Sequence, residues 1–327
     1  MTDIFEKFNL LTILVIGDVM MDSYVWGKIG RMSPEAPVPV VQVTKKENRL
    51  GGAANVALNV QSLGAKPIIC AVIGDDPEGL DLLSLMDSAN LTREGVITVK
   101  GRQTTVKTRI IAHNQHIVRV DAETETDIPD ESSREVQERI AEIISAQKID
   151  AIIFEDYDKG LISEELITFT VSLANQKGIL TIVDPKKRNF HFYKDVSLFK
   201  PNLKELREGL DVEIDPVSVT QIEAAVDQIK ARLNAKSVML TLSEHGVFVS
   251  TAKDQKLFQA HSRKVADVSG AGDTVVATAA LCIASGLDEY QTAAIANLAG
   301  GIVCEHVGVV PIDKAQLLQE AKLLFPD

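Results

Sequence analysis

Short apolar runs of strand length alternate with segments of helical periodicity along most of this chain, and that alternation restricts the fold. Buried strands are predicted from the apolar, β-branched runs at residues 11–17, 67–73, 151–154, 179–183 and 238–242. Helical spacing predicts helices at residues 53–63, 79–86, 164–176, 274–283, 290–304 and 314–324. Strands that alternate with helices require a mainly parallel sheet with helices on both faces. Right-handed crossovers then favour a doubly wound α/β sheet, whose ligands gather at the carboxyl ends of the strands.

Two stretches of β-type sequence interrupt this alternation. Residues 38–43 (VPVVQV) and 104–121 are typical of β-ribbon, the second with a turn at residues 113–115. They stand between helices, so we predict a small β lid over the substrate site, built from segments of approximately 20–46 and 101–122. The alternative is an antiparallel edge of the main sheet. Either way, residues 1–327 are expected to form one domain, the natural first assumption for a chain of 327 residues.

The charge and the cysteines of the chain argue against several classes of protein. The formal net charge is −12 and is spread along the sequence, whereas nucleic acids and anionic membranes require clustered positive charge. Cys70, Cys282 and Cys304 are far apart and lack metal-ligand spacing, so reduced thiols in a cytoplasmic protein are expected. The first nine residues lack the pattern of a signal peptide, and no apolar run reaches about 18 residues, so no membrane span is expected.

Residues 267–274 read DVSGAGDT and carry the most chemical information. Small residues precede a helix there, so Gly270, Ala271 and Gly272 can form a turn whose backbone N–H groups make an anion pocket. Such donors would stabilise a phosphoryl group in transfer, and Asp273 at the mouth of the pocket could accept the proton of an attacking hydroxyl. The alternative is an ordinary glycine turn in which Asp273 caps the helix.

The same stretch resembles the C-terminal signature of the ribokinase-like family, also called the PfkB carbohydrate kinases. Residues 51–57 (GGAANVA) are similar to its N-terminal GG-A-N-A motif, and residues 202–205 (NLKE) are similar to its N-x-x-E motif. The three signatures stand in family order, and the resemblance covers nearly the whole chain. It implies an ATP-dependent sugar kinase with a ribokinase-like three-layer α/β/α sandwich, a mainly parallel sheet and a small β lid. It also implies a requirement for Mg²⁺ and, often, activation by K⁺.

The resemblance implies that two segments near the start of the chain bind the acceptor sugar. Gly51 and Gly52 would let the backbone approach a sugar closely, and Asn55 offers both a donor and an acceptor. Asp18 and Asp22, just beyond the first strand, could each accept two hydroxyl hydrogens from neighbouring carbons of a sugar. Without the resemblance, a turn and cap pair is the alternative for these two carboxylates.

The resemblance also implies sites for the nucleotide and for cations. Asn202 and Glu205 would lie on one face of a helix start, which suits contacts to ATP and to Mg²⁺ held through water. Further ATP contacts are implied for Thr241, Ser243, Gly246 and Gly272. Asp267 and Ser269 occupy positions that frequently contribute to a K⁺ site. Because Ser269 stands where many members have threonine, the nucleotide or cation preference could differ from theirs.

A longer match narrows the choice of sugar. Residues 31–41 read RMSPEAPVPVV and resemble the R-x-S-P-E-A-P-V-P-V stretch of the heptose 7-phosphate kinases. That resemblance implies transfer of the γ-phosphate to the anomeric oxygen of D-glycero-D-manno-heptose 7-phosphate, on the route to ADP-heptose for lipopolysaccharide. The alternative is another kinase of the family that acts on fructose, fructose 6-phosphate or a similar sugar, since a few contacts decide the acceptor.

A phosphorylated sugar needs cations, and the predicted lid carries Lys107, Arg109 and Arg119. Strand alternation puts the first two on one face, where they could hold the distal phosphate together with Lys186. The alternative for these cations is solvated surface, which we expect for the two basic residues that follow Lys186.

Two rival classes and two partners remain to be considered. A NAD-dependent dehydrogenase is disfavoured because no G-x-G-x-x-G follows the first strand, and a non-catalytic sugar-binding protein would not need Asp273. Many heptose kinases carry a nucleotidyltransferase domain with an H-x-G-H motif, which this sequence lacks. A free-standing kinase is therefore expected, with a separate adenylyltransferase downstream. Apolar lid residues such as Val38, Val40 and Ile110 favour a homodimer through the lid.

Overall fold

The computed structural model describes residues 1–113, 115–261 and 263–325, so Asn114 of the predicted turn lies outside the described residues. In chain order the strands are β1 (Thr12–Gly17), β2 (Val19–Met32), β3 (Pro39–Gly52), β4 (Lys66–Gly74), β5 (Gly95–Val99), β6 (Val106–Ala112), β7 (Gln115–Ala122), β8 (Ala151–Glu155), β9 (Leu180–Asp184), β10 (Leu198–Phe199), β11 (Ser237–Thr241), β12 (Val247–Ser250) and β13 (Gln255–Phe258). They form two separate sheets.

The central sheet has the order β13-β12-β11-β10-β9-β8-β1-β4-β5 over the described residues. All neighbours from β11 to β5 are parallel. The edge strands β12 and β13 run antiparallel and were not predicted. The five strands that the apolar runs predicted are all present, and each boundary lies within one residue of its predicted place. The prediction of a mainly parallel, doubly wound sheet is therefore confirmed.

Helices cover both faces of this sheet. In chain order they are α1 (Thr2–Phe8), α2 (Ala53–Ser62), α3 (Pro77–Ser88), α4 (Asp130–Ala146), α5 (Glu164–Lys177), α6 (Leu203–Leu210), α7 (Val219–Leu233), α8 (Ala271–Ala284), α9 (Glu289–Val303) and α10 (Lys314–Leu324). The strand period of two directs Ile13 and Val15 into one core cluster and Leu14 and Ile16 into the other. The first cluster packs against α2, α8 and α9, and the second against α4, α5 and α7. This arrangement is the predicted three-layer sandwich.

Strands β2, β3, β6 and β7 form the second sheet, in the order β3-β2-β6-β7, and we call it the lid sheet. Because it is not hydrogen-bonded to the central sheet, the predicted lid is confirmed and the edge-strand alternative is wrong. The first lid segment extends beyond its predicted end near residue 46. Pairing of β2 with β3 continues to Val19 and Gly52, so β3 leads directly into α2.

Two long helices, α4 and α7, were missing from the sequence prediction. Helix α4 is highly charged and carries only a narrow apolar stripe, made of Val136, Ile140, Ile143 and Ile144. Such a stripe gives a weaker signal than the apolar helices α8 and α9, which are buried on most sides. Among the residues that the structure describes, no helix is long and apolar enough to cross a membrane.

Candidate active site

The residues with predicted chemistry gather at the carboxyl ends of the parallel strands. Asp18 directly follows β1, and Glu155, Asp184 and Thr241 are the last residues of β8, β9 and β11. Parallel strands end at the same edge of a sheet, so these side chains share one surface. Helix α8 begins at this edge and contacts both β8 and β9.

Asp273 lies in the first turn of α8 and is 4% exposed. Its Oδ2 atom accepts a hydrogen bond from Asn55 Nδ2 at 2.7 Å, and its Oδ1 atom accepts one from the Tyr157 hydroxyl at 3.0 Å. The N-cap of α8 is Gly270, so the alternative that Asp273 serves as the helix cap is wrong. Both carboxylate oxygens instead point to side chains from other parts of the chain, which hold the group in one orientation.

The glycine turn opens α8 in the way that an anion pocket requires. Gly270 has a φ of 79°, and a Cβ there would lie 2.9 Å from Asn55 Nδ2, so only glycine fits. The N–H groups of Gly272 and Asp273 belong to the first helical turn, where no intrahelical acceptor exists. They are available to an anion, and the helix dipole adds to the attraction.

The environment of Asp273 changes its proton affinity. Burial raises the pKa of Asp273 to about 6, and the carboxylates of Asp184 and Asp22 add to the rise. The hydrogen bonds from Asn55 and Tyr157 act in the opposite direction, because they stabilise the charged form. At neutral pH the group is deprotonated but more basic than an exposed aspartate, as a general base should be.

This pKa predicts the pH dependence of catalysis. A base must be deprotonated, so kcat/KM should fall as the pH drops through about 6, the pKa of Asp273 in the free enzyme. An ordinary aspartate would lose activity only near pH 4. The measurement is kcat/KM for the best acceptor sugar between pH 4.5 and 8, from the rate of ADP release. Full activity retained at pH 5 would contradict the assignment.

Asp18 is nearly buried and is held by the backbone of the loop after β8. Its Oδ2 atom accepts hydrogen bonds from the backbone N–H groups of Tyr157 and Lys159, at 2.9 and 3.1 Å. Burial, together with the nearby charge of Asp156, raises the pKa of Asp18 to about 6. Its backbone carbonyl accepts the N–H of Ala53, the first residue of α2. Asp18 is thus rigidly placed between two loops of the site.

The two glycines before α2 are required by their neighbours. A Cβ on Gly51 would lie 2.2 Å from Asp22 Oδ2, and a Cβ on Gly52 would lie 2.4 Å from the Asp18 carbonyl oxygen. Gly52 also has a φ of 58°. These glycines bring β3 close to the Asp22 carboxylate and to the backbone of Asp18, the two residues that were predicted to bind the sugar. Asp22 itself lies in strand β2, so the turn and cap alternative does not apply to it.

The predicted cations of the lid sheet are already paired within the protein. Arg109 forms an ion pair with Asp22, while Lys107 Nζ lies 3.7 Å from Glu123 Oε2. Arg119 lies on the edge strand β7, with a side chain 57% exposed, and pairs with its neighbour Asp121. Lys107 and Arg109 are therefore close to the predicted sugar-binding carboxylates and the Tyr157 loop, whereas Arg119 lies on the exposed edge strand of the lid sheet.

A buried cluster of charges lies next to Asp273. Lys200 Nζ contacts Asp184 Oδ2 at 2.8 Å, and Lys186 forms an ion pair with Glu205. Burial, followed by the charges of Asp184 and Asp273, raises the pKa of Glu155 well above its usual value. Its Oε2 atom is buried and has no hydrogen-bond partner in the described part of the chain. Three carboxylates, those of Glu155, Asp184 and Glu205, therefore lie beside the two ammonium groups of Lys186 and Lys200.

The N-x-x-E residues form the start of α6. Asn202 Oδ1 accepts the N–H of Glu205 at 2.8 Å, and Glu205 Oε2 accepts the N–H of Asn202 at 2.9 Å, which is a capping box. Thr241 pairs with Asn202 through an isolated bridge, so β11 ends beside this cap. Ser243 and Gly246, both at positive φ, form the tight turn that follows. Helix capping by itself explains the N-x-x-E spacing. The predicted nucleotide-binding residues of α6 and of the turn after β11 lie together at the carboxyl edge of the central sheet.

Asp267 joins two loops at the other side of the glycine turn. Its Oδ1 atom accepts hydrogen bonds from the N–H and the hydroxyl of Ser269, and its Oδ2 atom accepts one from the N–H of Gly308. Burial opposes ionisation, but these donors outweigh it and hold the pKa of Asp267 below its usual value. The predicted pair Asp267 and Ser269 is therefore in direct contact and negatively charged.

Three residues of the site were missed by sequence reasoning: Tyr157, Glu155 and Lys200. Tyr157 and Glu155 belong to the stretch EDYDKG at the end of a predicted buried strand. The rule that ligands gather at strand ends pointed to this place, and it could have found both residues. No comparable signal marks Lys200, because it follows the two-residue strand β10, which was not predicted.

A doubly wound sheet with a lid sheet, a glycine turn that opens a helix and a buried carboxylate beside it are the features that a small-molecule kinase requires. Comparison with known proteins identifies the family. The profile described as pfkB family carbohydrate kinase matches residues 11–315. The chain belongs to this family, whose members are ATP-dependent sugar kinases.

Individual relatives agree with this placement. The chain is 39% identical over 298 residues to the bifunctional protein HldE of Helicobacter pylori strain P12, covering 90% of this chain and 63% of that protein. It therefore spans less than two thirds of the length of that relative. Its fold is similar to a point mutant of Phosphofructokinase-2 from Escherichia coli, with a TM-score of 0.80, 19% identity, and 96% and 99% of the two chains covered. The same enzyme in complex with potassium gives a TM-score of 0.77 with the same identity and coverage.

Proposed function

We propose that this kinase transfers the γ-phosphate of ATP to the anomeric hydroxyl of D-glycero-D-manno-heptose 7-phosphate. The single observation that carries the catalytic part is the buried Asp273 carboxylate at the start of α8, oriented by Asn55 and Tyr157 beside free helix N–H groups. Asp273 is proposed as the base and Gly270 to Gly272 as the anion hole. The whole described chain would act as one kinase unit.

The proposed reaction needs little from the protein beyond positioning and charge. The anomeric hydroxyl attacks the γ-phosphorus while its proton passes to Asp273. A bond forms between the anomeric oxygen and phosphorus, the bond to the β,γ-bridging oxygen breaks, and ADP leaves. The N–H groups of Gly272 and Asp273 would stabilise the charge on the transferred group. Because this transition state is loose, a carboxylate is a strong enough base.

The acceptor would lie between the lid sheet and the central sheet. Asp18, Asp22 and Asn55 are proposed to form hydrogen bonds with its hydroxyls, and Gly51 and Gly52 let strand β3 pack closely against Asp22 and Asp18. The sugar phosphate at carbon 7 would be held by cations near this space. Lys107 and Lys186 are the best placed, since both ammonium groups lie within about 6 Å of the Tyr157 ring. Arg109 would join them through its pairing with Asp22.

Two observations support heptose 7-phosphate over other sugars. Residues 31–41 resemble the heptose 7-phosphate kinases, and this segment spans the end of β2 and the start of β3 in the lid sheet. The relatives named HldE are described as bifunctional, and this chain spans 63% of the length of the Helicobacter pylori protein. Because these relatives are bifunctional, we propose that a nucleotidyl transfer follows this reaction.

The charges of the site fit a divalent cation with ATP. Glu155, Asp184, Glu205 and Asp273 lie against only two ammonium groups, and Glu155 Oε2 lacks a partner in the described part of the chain. Mg²⁺ would neutralise the phosphate charge when bound with ATP. Asn202 and Glu205 are proposed to hold it through water, since no group of three or more His, Cys, Asp or Glu in the described residues forms a ready-made metal site.

A monovalent cation and a second subunit are also proposed. The charged Asp267, with Ser269, would hold K⁺ beside the glycine turn, as the potassium complex of the E. coli enzyme leads us to expect. Val38, just before β3, and Val118 and Val120 on β7 are about half exposed, which favours a homodimer through the lid. Light scattering on the purified protein measures that assembly, and a monomer would contradict it.

A panel of sugars tests the proposed acceptor. Purified protein with Mg²⁺ and ATP is assayed for ADP release with heptose 7-phosphate, sedoheptulose 7-phosphate, fructose 6-phosphate, fructose and ribose. We expect kcat/KM for heptose 7-phosphate to exceed that for the others by roughly 100-fold or more, because an unfilled polar contact is costly. A higher value for another sugar would keep the kinase and remove heptose 7-phosphate as the substrate. Bound ATP with no sugar phosphorylated would contradict the catalytic proposal itself.

A further inference from the structure

Tyr157 contacts two carboxylates at the centre of the site, those of Asp273 and Asp18, and sequence analysis assigned it no role. It lies in the loop after β8. Its hydroxyl donates to Asp273 Oδ1 at 3.0 Å, and its backbone N–H donates to Asp18 Oδ2 at 2.9 Å. One residue thus connects the proposed base to a proposed sugar-binding group. A side chain that only filled space would not need the bond from its hydroxyl to Asp273.

The surroundings of Tyr157 keep its hydroxyl a donor. Burial, and then the charges of Asp273 and Glu155, raise the pKa of Tyr157 well above its usual value, so the phenol remains protonated. The Lys107 and Lys186 ammonium groups lie 5.9 and 5.3 Å from the centroid of its ring. These cation–π contacts hold the ring between the lid sheet and the end of β9.

We propose that Tyr157 is a positioning residue for the Asp273 carboxylate. Asn55 holds Oδ2, and Tyr157 holds Oδ1, so the plane of the carboxylate is defined by two donors from different segments. With only one donor the group can rotate about its terminal torsion, and a buried oxygen is left unpaired. This inference rests on the proposed role of Asp273 as the base.

The hydrogen bond also affects the protonation of the base. The groups that face Asp273 are Asp22 on β2, Glu155 at the end of β8 and Asp184 at the end of β9, and their charges oppose its ionisation. Among the neighbours of Asp273, Asn55 and Tyr157 oppose this effect through hydrogen bonds. Loss of the Tyr157 hydroxyl should therefore raise the pH at which the base becomes protonated.

Tyr157→Phe tests the inference because phenylalanine keeps the ring and its contacts with both lysines. We expect kcat to fall about tenfold, the typical effect of one hydrogen bond to a charged group, while KM for the sugar changes little. The acid limb of the pH profile of kcat/KM should move to higher pH. The position of that limb does not depend on the fraction of folded enzyme, so partial misfolding cannot imitate the shift.

Tyr193→Phe is the matched control. Tyr193 is fully buried, and its hydroxyl donates to Asp156 Oδ2 at 2.8 Å without contacting Asp273. It should lose stability but keep the acid limb at the wild-type pH. An unchanged kcat and acid limb in Tyr157→Phe, with an active wild type and an inactive Asp273→Asn, would overturn this inference alone. A wild type that phosphorylates no sugar would instead overturn the proposed function.

Discussion

Replacing Asp273 with asparagine is expected to lower kcat by about 10³-fold, the usual contribution of a positioned general base. Asparagine has nearly the same shape and can still accept the hydrogen bond from Asn55, but it cannot take the proton of the acceptor hydroxyl. Binding of ATP should change little, since the N–H groups of the glycine turn belong to the backbone. Steady-state rates of ADP release and titration of the nucleotide measure the two effects separately.

Asp121→Asn is the control for that experiment. It makes the same chemical change on strand β7 of the lid sheet, where Asp121 pairs with the exposed Arg119. An exposed pair contributes little, so this variant should keep activity within about twofold of the wild type. A kcat for Asp273→Asn within about tenfold of the wild-type value would contradict the role of Asp273 as the base.

Replacing Lys200 with methionine is expected to give the largest loss of stability. Lys200 is 2% exposed, and its ammonium contacts Asp184 Oδ2 at 2.8 Å between β10 and β9. Removing one partner leaves the buried Asp184 carboxylate uncompensated, which typically costs about 3–5 kcal/mol in the free energy of unfolding. Urea unfolding at pH 7, followed by circular dichroism, measures the difference from the wild type.

Two further variants show whether the cause is the buried charge. Lys204→Met removes the exposed pair of Lys204 with Glu208, 3.8 Å apart, and should change stability by less than about 1 kcal/mol. Adding Asp184→Asn to Lys200→Met removes the orphaned charge and should recover part of the loss. A Lys200→Met protein as stable as the wild type would show that the pair contributes nothing to the fold.

Features that depend on neighbouring residues in the sequence could be predicted well. The glycines at 270 and 272, the proposed base and the start of α8 lie within a few residues, so the glycine turn at the helix start followed from one stretch of sequence. Asp18 was found in the same way, because it follows a recognisable buried strand. The parallel character of the central sheet followed from the alternation of strands with helices, although its antiparallel edge, formed by β12 and β13, did not.

Contacts between distant segments could not be predicted. The pairing of Arg109 with Asp22 depends on the register of β6 beside β2, which no local pattern encodes. The same register explains why this cation already contacts a carboxylate in the structure. Tyr157 reaches Asp273 across 116 positions of the chain, and only the packing of α8 against β8 brings the two together.

The most direct test of the central claim is phosphorus NMR of the reaction product. The wild-type protein is incubated with Mg²⁺, ATP and heptose 7-phosphate, and the spectrum is compared with that from Asp273→Asn. The account predicts a second sugar phosphorus signal that couples to the anomeric proton, formed in equal amount with ADP, and absent from the variant. A new phosphate on any other carbon, or ADP formed with no new sugar phosphate, would contradict it.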